Sequence, residues 1–270
     1  MIIAYVLAAI SGLLGGSFIN AWIYRMEKNE SVIFGRSKCP HCGKKLGPLE
    51  LIPIFSFLLQ KGRCRGCQKD ISWVYPVGEA ATALLFLLIA WRHTEGIAIS
   101  YCDISKVSLG IGVLFLRDAI FVVFLSTLFI FDLKHKLVPD QAVIPAIVVA
   151  FVWNMLGGMP LNSLLIGIAV GGGFFFLQYV ISKGKWIGDG DIRIGLMMGA
   201  MLGWPGVLPA IFISYILGSV ISVLLLLTKK ASWKTAVPFG TFLTVGTLII
   251  LLWGNEILAW YNGLTGLMMC

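Results

Sequence analysis

Charge is what this sequence has least of. Charged residues fill 13% of its 270 positions, about half the share found in an ordinary soluble domain. Hydrophobic residues fill 58%. That balance excludes a soluble fold, and several uninterrupted apolar runs of about twenty residues are long enough to cross a bilayer. Alternation of polar and apolar residues is missing too, which excludes a transmembrane β-barrel. The first apolar run, "MIIAYVLAAISGLLGGSFINAWIY", has no basic segment ahead of it. It also runs too long without charge for a cleaved signal peptide, so it reads as a retained span.

What remains is an all-α polytopic membrane protein of about eight transmembrane helices. The runs predict spans near residues 2–24, 77–91, 114–131, 141–157, 161–181, 192–203, 205–228 and 237–253, the sixth being short and rich in glycine. Lys and Arg set the orientation. If segment 25–76 is cytoplasmic and the sides alternate, segments 25–76, 132–140, 182–193 and 229–236 hold 18 of the 21 basic residues. Only Arg92, Lys106 and Arg117 fall on the other side, which also holds both termini. This asymmetry explains the net charge of +8 with a lipid bilayer as the partner and no nucleic acid. The chain divides into a first span (1–24), a small cytoplasmic loop domain (25–76) and a membrane region (77–270).

Cysteine is concentrated in that loop. "SKCPHCGKKLG" and "KGRCRGCQKD" carry two CxxC knuckles, Cys39 with Cys42 and Cys64 with Cys67. Two knuckles about twenty residues apart have the spacing of a four-cysteine zinc site. Gly43 and Gly66 suit tight turns. Two disulfides or four free thiols are the alternatives, but disulfides do not persist on the cytoplasmic side. Four thiolates leave zinc no open position, so the expected Zn2+ is structural. His41 reads as an exposed residue between two ligands. Cys102 and Cys270 stand alone and receive no role.

The scarce acids are the other signal. "FIFDLKHKLVPDQAVIP" holds Asp132 at the end of the third span and Asp140 at the start of the fourth; "GKWIGDGDIRIG" holds Asp189 and Asp191. Asp132 and Asp191 fall at the same membrane face on different spans, where packing can bring them together. Paired carboxylates share a proton; the ionised one takes a proton from water while the protonated one polarises a carbonyl, the chemistry of aspartic peptide hydrolysis. Gly188 and Gly190 allow close backbone approach by a substrate strand and unusual dihedral angles. Other readings stand beside this one. Asp140 is most simply a helix N-cap. Asp189 is a loop acid or a second cap. Asp132 and Asp191 are interfacial charges paired with Lys134 and Arg193, or serve ions in a transporter or channel with a zinc-bound regulatory loop.

The motifs together resemble the bacterial type IV prepilin leader peptidases, membrane aspartic proteases of the GxGD type. "GLLGGSFINAWIYRM" is similar to the family's first-span signature at Gly16, Ser17, Phe18, Asn20 and Arg25. The cysteine loop carries the Leu-Ile-Pro and Tyr-Pro elements, "DLKHKLVPD" the first aspartate motif, "GDGDIRI" the GxGD motif 59 residues further on, and "VPFGTFL" the late Pro-Phe-Gly segment. The departures are Arg193 for the usual lysine, Asp189 at the variable position, Gly78 before Glu79, and Thr241 where proline is common.

The resemblance implies that Asp132 and Asp191 are catalytic, and that Asp140, Gly188, Asp189, Gly190, Arg193 and Glu79 contact substrate or support the site. It implies cleavage of the short basic leader of a type IV prepilin or pseudopilin after a glycine. The expected setting is the cytoplasmic face of the bacterial inner membrane. It further implies N-methylation of the new terminus with S-adenosylmethionine, located toward the cysteine loop. No glycine-rich strand–turn–helix fingerprint for that cofactor is present. Glu79 is either a helix N-terminal charge or part of the methylation site. Another GxGD protease with a different membrane substrate is the nearest alternative.

Overall fold

The computed structural model describes residues 2–32, 35–94, 110–229 and 237–265. Cys102, Cys270, Lys106 and most of the basic segment 229–236 lie outside the described residues. The chain forms two compact units, Met1–Gly96 and Ile97–Cys270.

In the first unit, helix α1 (Ile2–Glu27) packs along α3 (Val74–Thr94). Small residues set the approach. A Cβ on Gly12 would lie 2.6 Å from the Cα of Ala83, and one on Gly16 would lie 2.6 Å from the Cα of Glu79. Such small-xxx-small spacing lets helix backbones touch in lipid, where apolar burial itself drives little association. The cysteine loop leaves α1 and returns to α3 through a 3-10 turn (Pro48–Glu50) and the short α2 (Phe55–Leu59).

The second unit contains α4 (Ile111–His135), α5 (Asp140–Leu156), α6 (Leu161–Ser182), α7 (Asp189–Leu202), α8 (Val207–Leu227) and α9 (Phe239–Thr265). All eight predicted spans appear as helices. Among the described residues, six helices are long and apolar enough to cross a membrane: α1, α3, α4, α6, α8 and α9. The helix α5, of 17 residues, falls just short of that length. No strand is present among the described residues, only two isolated bridges in the cysteine loop.

The sixth predicted span differs in kind. With 14 residues, α7 is about 21 Å long at 1.5 Å per residue, too short for a hydrocarbon core of about 30 Å. It is instead the buried centre of its unit, packed against α5, α6, α8 and α9; Ile194, Met197, Met198 and Leu202 are fully inaccessible. Its glycines form a seam with α6: a Cβ on Gly167 would lie 2.7 Å from the backbone of Gly203 and 2.9 Å from the Gly199 carbonyl. The α7 C-terminus is tied down by side chains from α5 and α6. The Asn154 amide donates to the carbonyls of Ala200 (2.8 Å) and Met201 (2.9 Å), and the Ser163 hydroxyl donates to Trp204 O at 2.7 Å. These carbonyls would otherwise be left unsatisfied at a helix end.

The last predicted span ends at 253, where α9 has a kink: Trp253 has φ −125° and ψ 16°. The helix resumes through Asn255 and Glu256, whose polarity ended the apolar run but not the helix.

Candidate functional site

Asp132 lies one turn before the end of α4. The helix stops where Lys136 adopts a left-handed conformation and returns its N–H to the Asp132 carbonyl at 2.7 Å. The side chain is 5% exposed, and its Oδ2 accepts the backbone N–H of Thr241 at 2.7 Å. That N–H belongs to the first turn of α9, so the carboxylate caps a neighbouring helix and meets its positive dipole end. Asp191 lies in the first turn of α7, 8% exposed, with Oδ2 accepting the Gly188 N–H at 3.1 Å. This is the returning half of a capping box.

Burial, and after it the charges of Asp132 and Asp189, push the Asp191 carboxyl above its ordinary value. Gly240 packs between Asp132 and the Ile194 side chain of α7. A Cβ there would lie 2.9 Å from Asp132 Oδ2 and 2.8 Å from the Cδ1 of Ile194, one turn along α7 from Asp191. Each aspartate is held through Oδ2 alone; no hydrogen bond reaches either Oδ1 among the described residues. An aromatic group borders the α9 start: Phe239 meets Tyr215 with ring centroids 5.0 Å apart and Phe175 at 6.2 Å. The Tyr215 hydroxyl donates to Gln178 Oε1 at 2.9 Å.

Asp140 and Asp189 are held differently from Asp132 and Asp191. Both are exposed and both pair with Arg193, so Arg193 is not the partner of Asp132 or Asp191. Nor is Asp140 a cap. Pro139, extended at φ −76° and ψ 125°, holds the cap position, and Asp140 begins the helix. The glycines also differ from expectation. Gly188 has an ordinary extended backbone (φ −80°, ψ 163°), and a Cβ there meets nothing nearer than 3.9 Å. Gly190 is needed for packing, since its Cβ would lie 2.6 Å from Cγ2 of Val138 in the α4–α5 turn. Sequence reasoning passed over Gly240 and Thr241 as site residues. Their signal was the Pro-Phe-Gly step just ahead of an apolar run, a helix start with free N–H groups.

The cysteine loop gathers its four thiols as expected. All four Sγ atoms lie within 4.8 Å of one another, with Cys39–Cys67 and Cys42–Cys64 at 4.0 Å. Tetrahedral zinc with bonds of about 2.3 Å spaces its sulfurs about 3.8 Å apart, whereas a disulfide would need about 2.05 Å. The two knuckles repeat one geometry. Cys39 N–H donates to Lys44 O at 2.9 Å, and Cys64 N–H to Lys69 O at 3.0 Å. The left-handed position four residues after each first cysteine is Gly43 (φ 70°) in one knuckle and Gln68 (φ 58°) in the other. Gly66 is therefore not the turn residue. Backbone N–H groups of Cys67 and Gly66 hold the Cys64 thiol down to about 6. Cys42 goes the other way: an N–H from Lys44 favours its thiolate, but partial desolvation and three neighbouring thiols raise it to about 11. Four sulfur ligands gathered this closely are a set that a dication would complete. His41 is exposed and outside the cluster.

Glu79 is buried on α3, 8% exposed. Its Oε2 accepts the N–H of Ile54 at 2.8 Å. A cavity of about 650 Å³ opens beside it, within the first unit, between α1, the cysteine loop and the start of α3.

A multi-span helical membrane protein with two buried aspartates, one near the end of α4 and one at the start of α7, is the class that fold and site define. Comparison with known proteins narrows it. Residues 10–93 match the Bacterial Peptidase A24 N-terminal domain, and residues 119–223 match the Type IV leader peptidase family. A prepilin leader peptidase/N-methyltransferase of Bacillus subtilis is 30% identical, over 93% of this chain and 95% of its own length. One from Xanthomonas campestris pv. campestris is 31% identical over 96% and 95%, and one from Aeromonas salmonicida 29% over 94% and 92%. No solved structure matches. The chain belongs to the type IV leader peptidase family, and it is a peptidase.

Proposed function

We propose that this chain removes the leader from type IV prepilins or pseudopilins, with Asp132 and Asp191 as the catalytic pair. One observation carries the reading: two buried carboxylates from different helices are each fixed through Oδ2 by a backbone N–H, each with Oδ1 available. When such carboxylates meet at a substrate, like charges favour a shared proton. The ionised carboxylate removes a proton from water as the oxygen attacks the scissile carbonyl, and the protonated one donates to the carbonyl oxygen. Collapse of the tetrahedral species breaks the C–N bond, and the departing nitrogen takes up a proton. Because α7 is buried and tied at its C-terminus, Asp191 sits on a rigid element, as precise positioning requires.

The leader's cations would meet Asp140 and Asp189, and Arg193 between them leaves that group one net negative charge. We place this face toward the cytoplasm of the inner membrane, following the Lys and Arg bias. Zn2+ fits the Cys39, Cys42, Cys64 and Cys67 set, where it would hold the loop's shape. The relatives' printed name adds N-methyltransferase, and we assign this chain the same second activity with S-adenosylmethionine as donor, in the first unit. Reconstituted protein incubated with a full-length prepilin tests the whole reading. The expected product begins one residue after the glycine and gains the mass of one methyl group when donor is added. An uncut prepilin would refute the peptidase assignment.

A further inference from the structure

The cysteine loop carries an apolar surface that neither the aspartates nor the thiolates use. Phe55, Leu58 and Leu59 of α2 are 61%, 60% and 74% exposed. Their spacing of i, i+3 and i+4 puts them on one face of the helix. Leu51 and Ile52, three and four positions ahead of Phe55, are exposed as well, and so is Leu49. A loop domain surrounded by water turns such residues inward. Here only Phe57 of α2 is buried, and its ring packs edge to face on Trp73 with centroids 4.8 Å apart.

Two contacts set the level of this surface. The Ile54 N–H, at the residue that opens α2, donates to Glu79 Oε2 at 2.8 Å. Glu79 is the sixth residue of α3, about 8 Å along the helix from its start. That helix is long and apolar enough to span a membrane. Trp73, the partner of Phe57, is the residue just before it, and tryptophan favours the membrane–water interface. So α2 lies beside the loop-side end of a span, at the level of headgroups and the first acyl carbons. Ile54 has φ 59° and ψ −51°, which a β-branched residue rarely adopts. The chain holds α2 at this level against an unfavourable turn.

Charge matches the same surroundings. Between positions 44 and 70 the loop has six basic residues and two acids. Lys44 pairs with Glu50 and Arg63 with Asp70. Lys45, Lys61, Arg65 and Lys69, all exposed, are the net positive charge that remains. We propose that segment 49–59 is an interfacial anchor: Phe55, Leu58 and Leu59 enter the acyl boundary of an anionic bilayer, and these four cations meet its headgroups. Helices that lie in the interface bury their apolar face by about 5–10 Å, the depth that the Glu79 contact sets. The cysteine loop then rests against the membrane rather than standing free in water. A basic leader would be repelled by the same four cations, which favours lipid over substrate as the occupant.

The test uses the full chain in phosphatidylglycerol–phosphatidylethanolamine vesicles, with a benzophenone side chain introduced at Phe55, at Leu59 or, as control, at Gln68. After illumination, mass analysis should find phospholipid adducts at the first two positions about tenfold above the control. Adducts to a second copy of the chain or to added prepilin, or lipid labelling no higher than at Gln68, overturn the anchor. Phosphatidylcholine vesicles should lower the labelling at least about threefold; unchanged labelling overturns the headgroup contact. A variant combining Phe55→Ser, Leu58→Ser and Leu59→Ser, with wild-type metal content, should be cut by trypsin after Lys61 and Arg63 about tenfold faster than wild type in the same vesicles. An equal rate in that metal-bound variant counts against the anchor, and the adducts decide alone if the metal is lost.

Discussion

Gly240→Ala is the sharpest structural test of how Asp132 is held. The added Cβ would sit 2.9 Å from Asp132 Oδ2, 3.0 Å from its Cγ and 2.8 Å from Ile194 Cδ1. Carbon atoms in good contact stand about 3.5–4.0 Å apart, so something must move by roughly half an ångström or more. The backbone of α9 is pinned at this point, because Thr241 gives its N–H to Asp132 and its hydroxyl to Pro238 O at 2.7 Å. Ile194 is fully buried in α7, so it has little room to yield. The carboxylate is the group that gives way. Overpacking of this kind costs about 1–3 kcal/mol of stability. A displacement approaching 1 Å in a catalytic group lowers turnover by about a hundredfold. Gly188→Ala is the matched control for stability, since its Cβ meets nothing nearer than 3.9 Å. The assay is prepilin cleavage at saturating substrate, with thermal unfolding of both variants in the same detergent. Wild-type kcat in folded Gly240→Ala would refute the placement of Asp132 against the α9 start.

Other expectations follow from particular contacts. Gln68→Gly relieves a left-handed backbone position, worth about 1 kcal/mol, and should make the loop more resistant to chelator in a metal-release assay. Cys39→Ser should strip the metal from the loop and expose it to protease, and full metal content in that variant would contradict the four-thiolate site. Arg193→Gln removes both ion pairs of a half-exposed side chain, so stability should fall by at most about 1 kcal/mol. Its effect should appear as a tighter KM for basic leaders, read in cleavage kinetics as a function of salt.

The elements that were legible in the sequence are those with a strong local signal. Both CxxC knuckles and all eight apolar helices follow from spacing and run length. The predicted end of α4 at 131 was early by one turn, because a charge ends a hydropathy run without ending a helix. That extra turn is what puts Asp132 inside α4 and lets Lys136 close it. The role of α7 as a buried half-length helix depends on glycines of α6 some thirty residues away, a pairing that no local pattern announces. The backbone N–H from Thr241 reaches Asp132 across 109 positions, and backbone donors carry no residue signature. The left-handed turn at Gln68 is hidden for a related reason, since glycine marks that position only in the first knuckle.

The central claim is that two of the four clustered aspartates do the chemistry. The most direct measurement is cleavage of a prepilin in liposomes by wild type and by Asp132→Asn, Asp191→Asn, Asp140→Asn and Asp189→Asn, each checked for folding by bound metal and melting temperature. Loss of cleavage in the first two, with cleavage kept in the second two, is the predicted result. Cleavage by folded Asp132→Asn or Asp191→Asn would contradict it.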